Sequence, residues 1–136
     1  MVESSLLFEE APYLRLTVTG RKTRLKRTVQ LWFAYEDGKI FFLAHRGSQW
    51  WKNLSHNPKA EIEVLEVAFQ GLGRLVPDKL SKIYSLFSAK YGLDQMERWY
   101  GGKKRSQRQA IEVEVGRVIG KRPETQRPLE SVISIS

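Results

Sequence analysis

The stretch TGRKTRLKRTVQLWF, residues 19–33, sets Gly20 beside five basic side chains, Arg21, Lys22, Arg24, Lys26 and Arg27. A phosphate needs donors converging from several directions, and charge-assisted hydrogen bonds from Arg and Lys supply them. Arg21, Lys22 and Arg27 flank the glycine turn, where backbone N–H groups can also approach an anion. The spacing is not that of a P-loop, which needs glycine, lysine and hydroxyl at fixed intervals. The bland alternative is a solvated basic turn, because charge runs usually need no ligand. Further along, Ser48 can donate to an anion or simply cap the helix that follows it, and a helix N-terminus is compatible with both. His45 at a strand end reads first as structural. Trp32, Trp50 and Trp51 could wall a ring-shaped ligand, although Trp51 shares a helical face with Leu54 and so reads as core.

Composition bounds what these residues can serve. A chain of 136 residues with 41% apolar and 28% charged content is one globular domain with a real core. Its 0 cysteines exclude disulfides, thiolate metal sites and a cysteine nucleophile. The 2 histidines, His45 and His56, have no local carboxylate partners at metal-ligand spacing, so no metal is expected. The opening MVESSLLFEEAPYL has no basic segment followed by a long apolar one, and no run is long enough to span a bilayer, so a cytoplasmic protein is expected. A formal charge of +8 favours anionic partners. Charge alone leaves nucleic acid, a phosphorylated cofactor and an acidic membrane surface open.

The elements that must position these residues are mostly strands. Leu14, Leu16 and Val18 alternate with Tyr13, Arg15 and Thr17, the period of a half-buried strand that Gly20 ends. The run from Arg27 to Arg46 reads as two strands either side of Asp37-Gly38, a dipeptide suited to a tight hairpin. Ser48 then caps a short helix that Asn57-Pro58 ends. Ala60, Ile62 and Val64 alternate again, and Gly71 and Gly73 in the next strand suggest a bulge or a bend. Pro77 and Asp78 open a helix with Leu80, Ile83, Tyr84, Phe87 and Tyr91 on one face and Gly92 as its stop. Asp94 caps a shorter helix through Trp99, and the basic loop Lys103 to Arg108 leads to a last alternating strand. Trp99 and Tyr100, beside that loop, are candidates for a substrate lid. Short turns between antiparallel neighbours predict a mainly β protein, a six-stranded antiparallel barrel with flanking helices. Residues 1–120 form the domain and 121–136 an extended or mobile appendage.

In order and spacing, RTVQLWFAYEDGKIFFLA followed by GSQWWKNLSHNP resembles the split β-barrel flavin-binding superfamily. That superfamily holds the pyridoxamine 5'-phosphate oxidase-like FMN proteins and the deazaflavin (F420)-dependent nitroreductases and quinone reductases. The resemblance implies a flavin at a homodimer interface, with the backbone of Thr28, Val29, Gln30 and Leu31 against the reactive ring. Ala44, His45, Arg46, Ser48 and Trp51 would follow the ribityl chain and phosphate. The oxidase-like branch carries an Arg-Lys pair after the serine of the short helix, where this chain has Gln49 and Trp50. The deazaflavin branch carries a TGRKSG loop with a basic residue and a proline beyond, and here Thr19 to Lys22 are kept and Arg27 is supplied. Arg24 stands where glycine is usual and Gln30 where proline is usual. The loop favours F420, with FMN as the alternative.

The resemblance therefore implies an oxidoreductase passing a hydride between F420 or FMN and a small electrophile such as a quinone, nitroaromatic or activated alkene. No side chain is assigned as catalytic, because the cofactor carries the difficult chemistry. Two other readings stand beside it, a non-catalytic flavin-binding protein of the same fold and a basic nucleic-acid-binding barrel. Against the last, Phe33, Phe42 and Phe69 alternate as core residues should, and no RNP-like or zinc-finger motif is present.

Overall fold

The computed structural model describes residues 2–101, 107–121 and 132–134. Strand β1 (Leu14–Thr19) buries Leu14, Leu16 and Val18 and pairs antiparallel with β2 (Lys26–Leu31). Then the chain departs from the single strand expected over this region. β2 stops at Leu31 and a separate β3 (Ala34–Glu36) follows. The break has a local cause at Phe33, whose N–H donates to the Tyr91 hydroxyl at 3.0 Å while its carbonyl accepts from Lys90 Nζ at 3.1 Å. With those groups taken by side chains, no ladder continues through Phe33. Burial of the Lys90 amine beside this carbonyl and over the Phe33 ring, 3.5 Å from its centroid, lowers its pKa to about 8.

Asp37 and Gly38 adopt φ of 51° and 78° and join β3 to β4 (Lys39–His45) by the expected tight hairpin. Helix α2 (Gln49–His56) leads to β5 (Lys59–Val64), β6 (Val67–Leu75) and, after α3 (Leu80–Tyr91) and α4 (Leu93–Tyr100), to β7 (Arg108–Lys121). Among the described residues seven strands run antiparallel in the order β3-β4-β7-β6-β5-β1-β2, and a short β8 (Val132–Ser134) adds parallel to β2. The fold is the expected mainly β split barrel. Its strand count exceeds six because residues 27–36 divide at Phe33 and because β8 joins the sheet. β2 and β3, consecutive in the chain, lie far apart in the strand order, so the sheet curls to bring them together. The appendage beyond 121 lies outside the described residues except for β8.

β4 is buried on both faces, which explains its almost uninterrupted apolar run. Ile40, Phe42 and Ala44 enter the barrel core with Leu16, Ile62 and Phe69. Phe41 and Leu43 face a second core under α3 and α4, built from Ile83, Phe87, Met96 and Tyr100. Two helices close the barrel. In α1 (Val2–Glu10), not anticipated from the sequence, Phe8 is fully buried and stacks on Tyr35 with ring centroids 4.8 Å apart. From α2, Trp50 and Leu54 enter the core, and Trp51, half-buried, packs against it from the side. Gly73 is needed where α2 crosses β6, since a Cβ there would lie 2.5 Å from Leu54 Cδ2. The register of β6 against β7 shifts between Ala68 and Gly71, but the extra residues lie on β7, between Gly120 and Val115, and not in the strand that carries Gly71 and Gly73. Pro77 opens a 3-10 turn before α3, and Gly92, at φ 93°, separates α3 from α4, so Asp94 lies in the first turn of α4 rather than capping it.

The β5–β6 hairpin uses Leu65 and Glu66 at φ of 46° and 76°, where turn chemistry prefers Asn and Gly. Leu65 is 52% exposed, so little packing depends on it. Leu65→Asn with Glu66→Gly should raise stability by about 1–2 kcal/mol by relieving left-handed strain. An unchanged urea midpoint would contradict this.

Candidate functional site

The basic β1–β2 loop is a built structure rather than a loose turn. Gly20 N–H donates to the Leu25 carbonyl at 2.8 Å, and Arg24 N–H donates back to the Gly20 carbonyl at 2.9 Å. A Cβ on Gly20 would lie 2.8 Å from Thr23 Oγ1, so the tight closure needs glycine there. Arg24 has φ 63°, the left-handed region that favours glycine, which accounts for the glycine usual at this position in the deazaflavin loop.

Arg21 fastens this loop to α2. Its Nη1 donates to Asn53 Oδ1 at 2.7 Å, its Nη2 to Gln49 Oε1 at 2.8 Å, and its backbone N–H to Asn53 Oδ1 at 3.1 Å. Asn53 is buried and was not singled out from the sequence; its place on the same helical face as Trp50 and Leu54 was the available signal. With Arg21 so engaged, Lys22 and Arg27 are the cations of the trio left exposed, and neither makes an ion pair among the described residues. Lys26, by contrast, pairs with Glu61 at 2.9 Å.

The segment after β4 is equally fixed. Trp51 Nε1 donates to the His45 carbonyl at 3.0 Å and lies 3.2 Å from that of Arg46. His45 Nδ1 accepts the Gly47 N–H at 3.0 Å, a structural role. Ser48 occupies the N-cap position of α2 with extended φ and ψ of −69° and 142°, but its hydroxyl caps nothing. The helix-capping role expected of it is therefore not made, because the side chain does not turn back to the first-turn N–H groups. Arg46 is exposed, and Ala44 and Leu31 are buried, so those two could meet a ligand only through backbone. Along β2 the Thr28 hydroxyl is 2.8 Å from that of Thr17, while Val29 and Gln30 are half-buried.

Arg21 thus brings the β1–β2 loop onto α2, and Trp51 binds α2 to the end of β4. The three tryptophans are not brought together. Trp50 packs edge-on against Phe42 in the core, Trp51 holds the His45 turn, and Trp32 stacks on Tyr91 at 4.3 Å under α3. Tyr100 is not a lid residue. It is 1% exposed, with the Arg108 guanidinium 4.3 Å from its ring centroid, and Arg108 Nη2 donates to the Trp99 carbonyl at 2.8 Å. Of the basic loop from Lys103 to Arg108, residues 103–106 lie outside the described residues. A cleft of about 630 Å³ on the outer face of β1, β5, β6 and β7 includes Thr17, Lys26, Glu61 and Gln70, and contains none of the residues expected to bind a cofactor. No helix among the described residues is long and apolar enough to cross a membrane.

A curled antiparallel sheet broken between β2 and β3, with an anchored cationic loop beside it, defines a protein of the split-barrel flavin-binding class. Residues 2–115 match the F420H2-dependent quinone reductases, and the chain belongs to that family. It is accordingly a deazaflavin-dependent oxidoreductase with F420 as its cofactor. Solved structures agree on the fold. An F420 reductase superposes with a TM-score of 0.69 at 20% identity, covering 84% of this chain and 94% of that one. A FAD-binding protein from Mesorhizobium loti gives 0.67 at 18% identity over 86% and 90% of the two chains. A domain-swapped dimer gives 0.59 at 21% identity over 83% and 95%.

The residues present fit such a cofactor. Lys22 in the turn and Arg27 on β2 offer charge outside any ion pair among the described residues, and the backbone of the turn is held by its own hydrogen bonds and by Arg21, so little backbone ordering is required on binding.

Proposed function

We propose that this protein catalyses hydride transfer between F420 and a small quinone-type acceptor, with nitroaromatics and activated alkenes as further substrates. The observation that carries this reading is the β1–β2 loop: two of the five guanidinium N–H groups of Arg21 anchor it to Gln49 and Asn53, and Lys22 and Arg27 stand exposed with no ion pair among the described residues. In this reading Lys22 and Arg27 hold the phosphate, and the backbone of Thr28, Val29, Gln30 and Leu31 aligns the ring. The turn of Ala44, His45 and Arg46, with Ser48 and Trp51, borders the chain between ring and phosphate. Arg21 acts by positioning the loop.

When bound, the deazaflavin supplies the hydride; reduction of a quinone to its hydroquinone takes that hydride and a proton. The chain's work is to orient two rings and exclude water, and no side chain need serve as acid or base. FMN is the competing cofactor, the alternative that the resemblance to the oxidase-like branch carries. A homodimer and a cytoplasmic location belong to the same reading; the domain-swapped relative supports the first. The test is anaerobic mixing of F420H2 with a water-soluble naphthoquinone. Protein-dependent return of oxidised F420 is the expected result; no acceleration with a quinone, a nitroaromatic or an enone would end the proposal.

A further inference from the structure

We propose that the C-terminal strand β8 is a strap over the cofactor edge of β2, which F420 must displace to lie against that strand. The inference rests on the ring placement proposed above. β2 has two edges. One is committed to β1 along its whole length, from Leu14 opposite Leu31 to Thr19 opposite Lys26. The other is met by β8, with Val29 opposite Val132, Gln30 opposite Ile133 and Leu31 opposite Ser134. These three residues of β2 fall within the stretch assigned to the ring.

An edge has a single outward row of N–H and C=O groups, and a strand and a ring cannot both use it. The break at Phe33 is what creates this edge, because it leaves β2 last in the antiparallel order. Without β8 the edge would stand open, a template for adventitious pairing. The pairing is parallel and three residues long, while every other strand pair in the sheet is antiparallel. Parallel pairing is slightly weaker per residue, so a short strap of this kind holds the edge yet yields to a ligand. The sequence suits the role, since SVISIS at residues 131–136 is rich in β-branched residues.

The test compares the unsubstituted protein with Val132→Pro/Ile133→Pro. Successive N–H groups of a strand point to opposite sides, so one of the two prolines removes an N–H facing β2. Amide exchange should quicken about tenfold at those of Val29, Gln30 and Leu31 whose N–H groups face β8, while the amides facing β1 and those of β4 and β7 keep their protection. The F420 dissociation constant should fall about three- to tenfold, because a larger fraction of the protein is free to bind. If protection is lost throughout the sheet, Ser134→Pro at the far end of the pairing replaces the double variant. Unchanged exchange at 29–31 would show that no strap exists. Faster exchange with unchanged or weaker F420 binding would overturn the competition. Failure of both proteins to bind F420 would overturn the cofactor reading and the competition with it, and the exchange data would still decide whether β8 covers the edge.

Discussion

Replacing Lys22 and Arg27 together by alanine should weaken F420 binding by about a hundredfold or more while the barrel stays folded. Each charge-assisted contact to a phosphate contributes roughly 1.5–3 kcal/mol, and about 3 kcal/mol from the pair already exceeds a hundredfold. Both side chains are exposed and outside any ion pair among the described residues, so their removal takes nothing from the fold. The β1–β2 turn keeps its own hydrogen bonds and its anchor through Arg21. Lys59→Ala/Arg117→Ala removes the same charge from exposed positions elsewhere. Calorimetric titration of both variants separates the two effects. Equal losses would mean that F420 senses only net charge, and no loss from the loop variant would remove the phosphate role altogether.

The largest effect on stability is expected at Glu112. Its side chain is 3% exposed and accepts from Arg74 Nε at 2.7 Å and Lys79 Nζ at 2.8 Å, tying β7 to β6 and to the 3-10 turn ahead of α3. Removing one member of a buried ionic cluster costs about 3–5 kcal/mol, and the exposure of Arg74 places Glu112→Ala at the lower end, about 3 kcal/mol. Burial by itself would raise the Glu112 pKa, but the hydrogen bonds and charges of Arg74 and Lys79 prevail and hold it below the ordinary 4.5. A folded-state pKa below the unfolded one means that this stabilisation is complete above the unfolded value. It is lost as pH falls through the folded one. Urea midpoints from pH 7 down to pH 3 should therefore converge for the wild type and Glu112→Gln. Parallel curves, or a Glu112→Ala midpoint equal to that of the wild type, would contradict the role.

Much of this was legible in the sequence because the relevant physics is local. Alternation placed β1, β5 and β7, and Asp37-Gly38 placed the β3–β4 turn, since each signal lies within one element. The break between β2 and β3 was not legible. It depends on Tyr91 and Lys90 reaching Phe33 from a helix 57 and 58 residues away in sequence. Helix α1 was missed because Leu6, Leu7 and Phe8 are contiguous and show no period, and what they serve shows only in tertiary packing, with Phe8 against Tyr35, Phe33 and Phe69 and Leu7 against the same core. At the candidate site the basic residues could be read as a group, but their division of labour could not. Asn53 turns Arg21 into an anchor, and nothing near position 21 announces a partner 32 residues away. That Trp50 is the more deeply buried of the two α2 tryptophans was not legible for a similar reason. One residue of phase on a short helix decides which indole enters the core, and the packing against Phe42 sets that phase.

The most direct test of the central claim is a calorimetric titration of the purified protein with F420 and, in the same buffer, with FMN. Saturable F420 binding with FMN much weaker is the predicted result, as expected of a deazaflavin site whose phosphate is held by Lys22 and Arg27. FMN binding more tightly than F420, or neither cofactor binding, would contradict it.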